Sequence, residues 1–295
     1  MESVSDKIIR TNIKNVYISQ VQYKSCGMTV VSSTKLFDYY ISKRGKNIYG
    51  LGLDVLYGHN YTGSKAICLV GSSTLGLEGI CGVNQYLIKE NGEKHNDPAI
   101  GTCCYTWNIV EKDFTHPDVK LGKFAMTHRG KNLLVGEVGA GVNARVGKIY
   151  LDGKNKIKTG QSAFYFEKNK MKCFCIVVLN SLGVIHEKGS LLHPFKIGKK
   201  QITNIKEMPK TELFNTKPQN TTLTIFVTNI KYSESEMKKL SDELHDVVES
   251  MVYPYATYLD GDTFFLVSSK EITTKKDYFD DYKDVIVNAI KSPFL

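Results

Sequence analysis

Two apolar runs on either side of a well-patterned helix constrain this chain more than any other feature. Thr222 to Ile230 reads TLTIFVTNI, a β-branched and aromatic stretch expected to form a buried strand. Ser233 followed by Glu236 is a capping box that opens a helix. Met237, Leu240, Leu244, Val247, Val248 and Met251 then recur at helical spacing, while Lys238, Lys239, Asp242, Glu243 and Glu249 fall mostly elsewhere. Pro254 is expected to close the helix, and TFFLVS at 263–268 is a second strand. Strand, helix, strand is a crossover unit, and strands joined this way normally run parallel. The chain is therefore α/β, and residues just ahead of the two strands meet at one end of a sheet.

Those residues carry chemistry. Asn220-Thr221-Thr222 precedes the first strand and Asp260-Gly261-Asp262 the second. A threonine hydroxyl inside a chain has no nearby group to take its proton. If the Asn220–Thr221 bond is cut, Thr221 gains an α-amine titrating near ~8, an adjacent general base on the same residue. The expectation is an amide hydrolase that makes its own nucleophile. Each motif has a plainer reading: Asn-Thr-Thr matches a glycosylation sequon, and Asp-Gly-Asp suits a turn. Their joint placement at two parallel strand entrances favours the chemical reading.

With 295 residues, 42% hydrophobic and 11% aromatic, the chain can bury a large core. No apolar run approaches the ~18 residues of a membrane helix, and MESVSDKIIRTNIK has no apolar stretch of the export type. A cytoplasmic protein without membrane contact is expected. The seven cysteines (26, 68, 81, 103, 104, 173 and 175) form no CxxC pair and read as small hydrophobes in a reducing compartment. No histidine spacing suits a metal, so neither metal nor cofactor is expected. The formal charge of +9 comes from lysines spread along the chain, with no basic stripe interleaved with aromatics, which argues against nucleic acid.

Residues 65–70, 101–110 and 173–180 are further strand candidates, and a helix is expected through Leu75, Leu77, Ile80, Val83 and Leu87 to Gly92. The polar stretch from Phe195 to Gln219 reads as an exposed loop leading to the proposed break. One α/β domain, 1–295, is expected, processed into 1–220 and 221–295. The glycines at 139–147 miss the phosphate-loop spacing, since five residues separate Gly141 from Gly147 and Ile149 follows Lys148. A tight backbone path delivering Lys148 into a pocket suits them better. GSSTLG at 71–76 has Leu75 where a nucleophile elbow needs its last glycine. His245 reads as structural or surface.

The sequence resembles the self-cleaving aminopeptidase and amidase family of DmpA, the β-peptidyl aminopeptidases and the nylon-oligomer (aminohexanoate-oligomer) endo-hydrolases. The resemblance runs through GLGLDV at 50–55, KAICLVGSSTLGLEGICGVNQYL at 65–87, PDVKLG at 117–122 and VGAGVNARVGK at 138–148. It continues through TGQSAF at 159–164, VVLNSLGVI at 177–185, NTTLTIFVTN at 220–229 and GDTFFLVS at 261–268 with Asp260 before it. It implies a four-layer α-β-β-α sandwich of the DmpA and ornithine-acetyltransferase type, with N-terminal-nucleophile chemistry. It also implies autocleavage between Asn220 and Thr221, and a homo-oligomer of processed heterodimers. By analogy Thr221 is the nucleophile, Asp260 and Asp262 orient and charge-balance the site, Lys148 follows the glycine-rich loop, and Asn180 stabilises an oxyanion.

Two departures stand out. Where the nylon-oligomer hydrolases carry a tyrosine, this chain has YTWNI, so Trp107 or Tyr105 is the candidate substrate wall, and Ser72 replaces a glycine often paired with Gly71. The expected substrate is a short peptide or amide. The rival readings are an acyltransferase of the ornithine acetyltransferase type and a catalytically silent binding protein on the same scaffold.

Overall fold

A computed structural model describes residues 7–54, 63–91, 98–106, 115–148, 157–208 and 220–295. Its main elements are β1 (Val16–Tyr23), β2 (Cys26–Gly45), β3 (Ser64–Ser72), α1 (Glu78–Asn91), β4 (Ile100–Tyr105) and α2 (Val119–Thr127). They are followed by β5 (Gln161–Lys168), β6 (Met171–Asn180), β7 (Thr221–Ile230), α3 (Glu234–Glu249), β8 (Gly261–Ile272) and α4 (Phe279–Lys291).

The 20-residue β2 organises the molecule. Its first half pairs with β1 and β3, and residues 38–45 pair with β8. One sheet thus runs β1-β2-β3-β4, and the other runs β5-β6-β7-β8-β2. Val31, Ile67 and Leu69 of the first meet Phe174, Ile176, Leu223, Ile225 and Phe265 of the second in one buried cluster. On the outer face of the first sheet, Met28, Val30, Cys68 and Val70 pack against Ile80, Val83 and Leu87 of α1 and Ala125 of α2. On the outer face of the second, Cys173, Cys175, Phe226 and Phe264 pack against Leu244 of α3 and Tyr282, Ile286 and Ala289 of α4. The layers are therefore helix, sheet, sheet, helix.

All ten residues of β7 are buried. A strand with a sheet on one side and helices on the other has no wet face, so β-branched and aromatic side chains fill both faces and its threonines are buried with the rest. Leu223, Ile225 and Val227 face the other sheet, and Phe226 and Ile230 face the helices. β7 and β8 pair in parallel, Leu223 opposite Thr263, as the crossover unit requires. The α3 capping box forms in both directions, with the Ser233 hydroxyl accepting from Glu236 N and the Glu236 carboxylate from Ser233 N. Such a cap is worth about 1 kcal/mol.

Four sequence expectations need correction. The α1 helix begins at Glu78, because Thr74–Leu77 forms a tighter 3-10 turn, and Leu75 on it is exposed. The expected 195–219 loop is in part a hairpin of Ser190–Ile197 with Lys200–Asn204, whose Leu191, Phe195 and Ile202 build a small core with Val184. Spaced apolar side chains on a short two-stranded ribbon are easily lost among lysines. Pro254 does not close α3: the helix stops at Glu249, and Val252–Tyr253 first pairs with Val184 and Ile185. The strand expected over 101–110 spans Ile100–Tyr105, and residues 107–110 lie outside the described ones.

Candidate active site

The parallel pairing of β7 and β8 places Thr221 and Asp262 at neighbouring strand starts, and Asn220 bridges Asp260 directly. From the other side β6 runs antiparallel and ends with Asn180 opposite Thr221. Lys148 reaches this point because the turn at Gly139–Gly141 packs tightly on the first sheet. A Cβ on Gly71 would stand 2.4 Å from Ala140 O, so only hydrogen fits there. Gly147, at φ 75°, then turns the chain and sends Lys148 inward. Lys148 Nζ donates to Asn180 O and Oδ1, each at 2.7 Å. The five residues singled out in the sequence are gathered at one sheet end.

The carboxylates are buried, and each has a defined set of donors. Asp262 Oδ1 accepts from Thr222 N at 2.6 Å, and Oδ2 from Ala256 N at 3.2 Å. Asp260 Oδ2 accepts from Thr257 Oγ1 at 2.6 Å and Thr257 N at 3.2 Å, while Leu182 N donates to Oδ1. Burial pushes both carboxyls up, Asp262 furthest because the charge of Asp260 adds to desolvation. The backbone N–H groups oppose the rise at both, and Lys148 opposes it at Asp260. Two buried carboxylates whose charges repel favour one of them keeping a proton.

Thr221 is 2% exposed, and its Oγ1 has no hydrogen-bond partner among the described residues. Asn220 Nδ2 is likewise buried and unpartnered there, while the Thr222 hydroxyl helps hold the Asp262 carboxylate ionised. An unpaired buried polar atom costs about 1–3 kcal/mol, so the Asn220–Thr221 link is a place of poor polar satisfaction. The hydroxyl's neighbour is the thiol of Cys104. Burial pushes that thiol up to about 12, with Lys148 and the Thr221 hydroxyl pulling the other way. Sulfur is a weak hydrogen-bond partner, so the threonine oxygen stays poorly satisfied beside it.

Asn180 spends one amide proton on Tyr105 O at 2.9 Å, while its Oδ1 also accepts from Arg145 N. Tyr105 therefore touches the site through its backbone. Its ring packs edge-on to Tyr49 and its hydroxyl meets Thr74 at 3.4 Å. Trp107 lies outside the described residues. Ser72 adopts φ 145°, a conformation glycine takes freely, and its hydroxyl is anchored on Thr115 O. His245 is buried against Phe264 and bonded to Tyr255 Oη at 2.7 Å, bracing the segment that presents Ala256 N to Asp262. Burial and Arg44 hold it neutral.

Sequence reasoning missed Cys104, which looks like ordinary core, and the backbone donors of Leu182 and Ala256, which leave no side-chain signature. Thr257 was legible in principle, since a hydroxyl three residues before an aspartate is a turn signal. Among the described residues no cluster of His, Cys, Asp and Glu could hold a metal, and no helix is long and apolar enough to cross a membrane.

The model of peptidase family S58 matches residues 11–292. The chain belongs to this family. It is thus a hydrolase of amide bonds, in line with the resemblance drawn from its motifs. The 6-aminohexanoate-oligomer endohydrolases of Agromyces sp. (strain KY5R) and Paenarthrobacter ureafaciens are each 26% identical, over 92% of this chain and 78% of theirs. Among solved structures, a Burkholderia sp. beta-aminopeptidase superposes with a TM-score of 0.66 at 9% identity, covering 96% of this chain and 83% of its own. The L-aminopeptidase D-Ala-esterase/amidase of Ochrobactrum anthropi, described as a variant of the Ntn hydrolase fold, gives 0.61 at 11% identity, with coverage of 96% and 83%. At such identities the likeness establishes the fold, which agrees with the four layers expected from the sequence.

Proposed function

We propose that the chain matures by cutting its own Asn220–Thr221 bond, and that Thr221 then hydrolyses amides through an ester on its Oγ1. The observation that carries this reading is the buried Thr221 hydroxyl, unpartnered among the described residues and flanked by Lys148–Asn180 on one strand and Asp262 on the other. A buried hydroxyl with only a weak sulfur neighbour stays available to the base that must take its proton. It also sits one residue from the carbonyl it must attack first.

In the mature enzyme the Thr221 α-amine takes the hydroxyl proton as Oγ1 adds to the substrate carbonyl. It then hands that proton to the leaving amine. Water frees the acyl group by the same route reversed. Lys148 lowers the amine's proton affinity while Asp260 and Asp262 raise it, which tunes a base near neutrality. The Asn180 amide is assigned to the substrate oxyanion, as the family resemblance implies, a contribution of about 3 kcal/mol in comparable sites. Relatives named for aminohexanoate oligomers and for aminopeptidase activity suggest a short peptide or amide oligomer as substrate. Processed pairs are expected to assemble further.

Thr221→Ala should leave the chain whole and lower kcat/KM on a chromogenic amino-acid anilide by at least about 10⁴-fold, the scale of nucleophile loss. Anilide hydrolysis at the wild-type rate by the alanine variant would refute the assignment. Thr221→Ser should still break and turn over.

A further inference from the structure

We infer that the backbone N–H of Gly261 is the oxyanion donor of the self-cleavage step, a role separate from that of Asn180 in hydrolysis. The inference rests on the self-cleaving reading above. Gly261 N donates to Asn220 O at 3.1 Å, and that oxygen belongs to the bond to be broken. Negative charge develops there as Thr221 Oγ1 attacks. Asn180 approaches β7 from the opposite edge, opposite Thr221, with one amide proton on Tyr105 and its oxygen on Lys148.

The Gly261 donor is held rigidly. A Cβ at this position would stand 2.1 Å from Asn47 O, and Asp260 O accepts from Asn47 N at 2.9 Å, so the peptide is clamped between Asn220 and the segment at Asn47. Asn220 is 1% exposed, and a fixed dipole in so dry a place does not have to reorganise as charge appears. In the first step a bond forms between Thr221 Oγ1 and the Asn220 carbonyl carbon. The hydroxyl proton passes to Thr221 N as the carbon–nitrogen bond breaks, leaving an ester and a free amine. Water then splits the ester into the Asn220 carboxylate and the Thr221 hydroxyl. Gly261 holds the oxyanion throughout and exchanges no proton. Once Asn220 is a free terminus, turnover of external substrate no longer needs this donor.

Replacing Gly261 by glycolate through suppressor-tRNA incorporation exchanges the N–H for an ester oxygen without adding a side chain. Break formation is followed by mass spectrometry on freshly synthesised full-length chain. The expected result is cleavage slowed by about 10²- to 10³-fold, with the slowly matured fraction hydrolysing amide at a rate within a few-fold of native. The ester also weakens Asp260 O as an acceptor, so Asn47→malamate, the α-hydroxy analogue of asparagine that keeps the side chain and loses the N–H bonded to that oxygen, is the paired variant. It should break at a near-native rate. Native-like cleavage of the glycolate chain, or equal slowing in both variants, overturns the proposal while the self-cleaving reading stands. A native chain that never breaks removes that reading and the proposal together.

Discussion

At Asp262 the residue chemistry makes a prediction about pH. Its carboxyl is pushed well above the ordinary range by burial and by Asp260, so the folded chain binds a proton more tightly than the unfolded one, whose aspartate titrates near ~3.9. Stability then falls as pH rises from about 4 through the raised value, because the native state must give up a proton the unfolded state has already lost. In uncleaved Thr221→Ala, the buried His245 and His186, held below the usual imidazole range, raise Tm as pH climbs from 5 to 7, so Asp262 is read as the downward part of the Tm slope between pH 5 and 8. Adding Asp262→Asn should remove that downward part, so that Tm rises more or falls less with pH than in Thr221→Ala alone, since Asn removes the titrating group. An unchanged slope would show that the pair is already ionised. The placement of the candidate residues was legible where side-chain type and chain position both speak, as at Thr221 and Asp260. It was not legible at Cys104, whose part comes only from β4 ending beside β7.

At the scale of elements, α1 and α2 meet through glycines. A Cβ on Gly122 would stand 1.9 Å from Gly79 O, and one on Gly82 would stand 2.2 Å from Val119 O. The neighbours are backbone and cannot swing away, so Gly122→Ala should force the helices apart. Overpacking of this kind costs about 1–3 kcal/mol, readable as a lower urea midpoint at unchanged m-value. The candidate active site lies at β7 and β8, at the other sheet, so activity per folded molecule should change little. A stability loss under about 0.5 kcal/mol, the scale of an ordinary surface change, would mean the helices are less closely seated than described. The crossover of β7, α3 and β8 was readable from sequence because burial on both faces writes unbroken apolar runs and the capping box marks the helix start. The hairpin at Ser190–Asn204 was not, because its apolar residues are sparse among exposed lysines and its partners come from Val184 and the neighbouring loop. The start of α1 was misplaced because Leu75 continues the helical spacing while facing outward on a 3-10 turn.

For the whole molecule, the break at 220–221 would fall at the edge of a strand whose neighbours belong to the other piece. In the second sheet β7 and β8 lie between β6 and β2, so residues 221–295 supply its middle while residues 1–220 supply both flanks. The interleaved ladders and the shared cores on both faces make separation equivalent to unfolding. The two pieces should therefore co-elute on native size exclusion and part only under denaturing conditions. A small fragment eluting alone, folded or not, would contradict the interleaving.

The proposed catalysis requires Thr221 to become the first residue of a chain. Intact-mass and N-terminal analysis of purified, amide-hydrolysing enzyme tests this most directly. The predicted result is two polypeptides, the smaller beginning Thr-Thr-Leu-Thr-Ile-Phe and ending at Leu295. Active material in which Asn220 and Thr221 are still joined would contradict it.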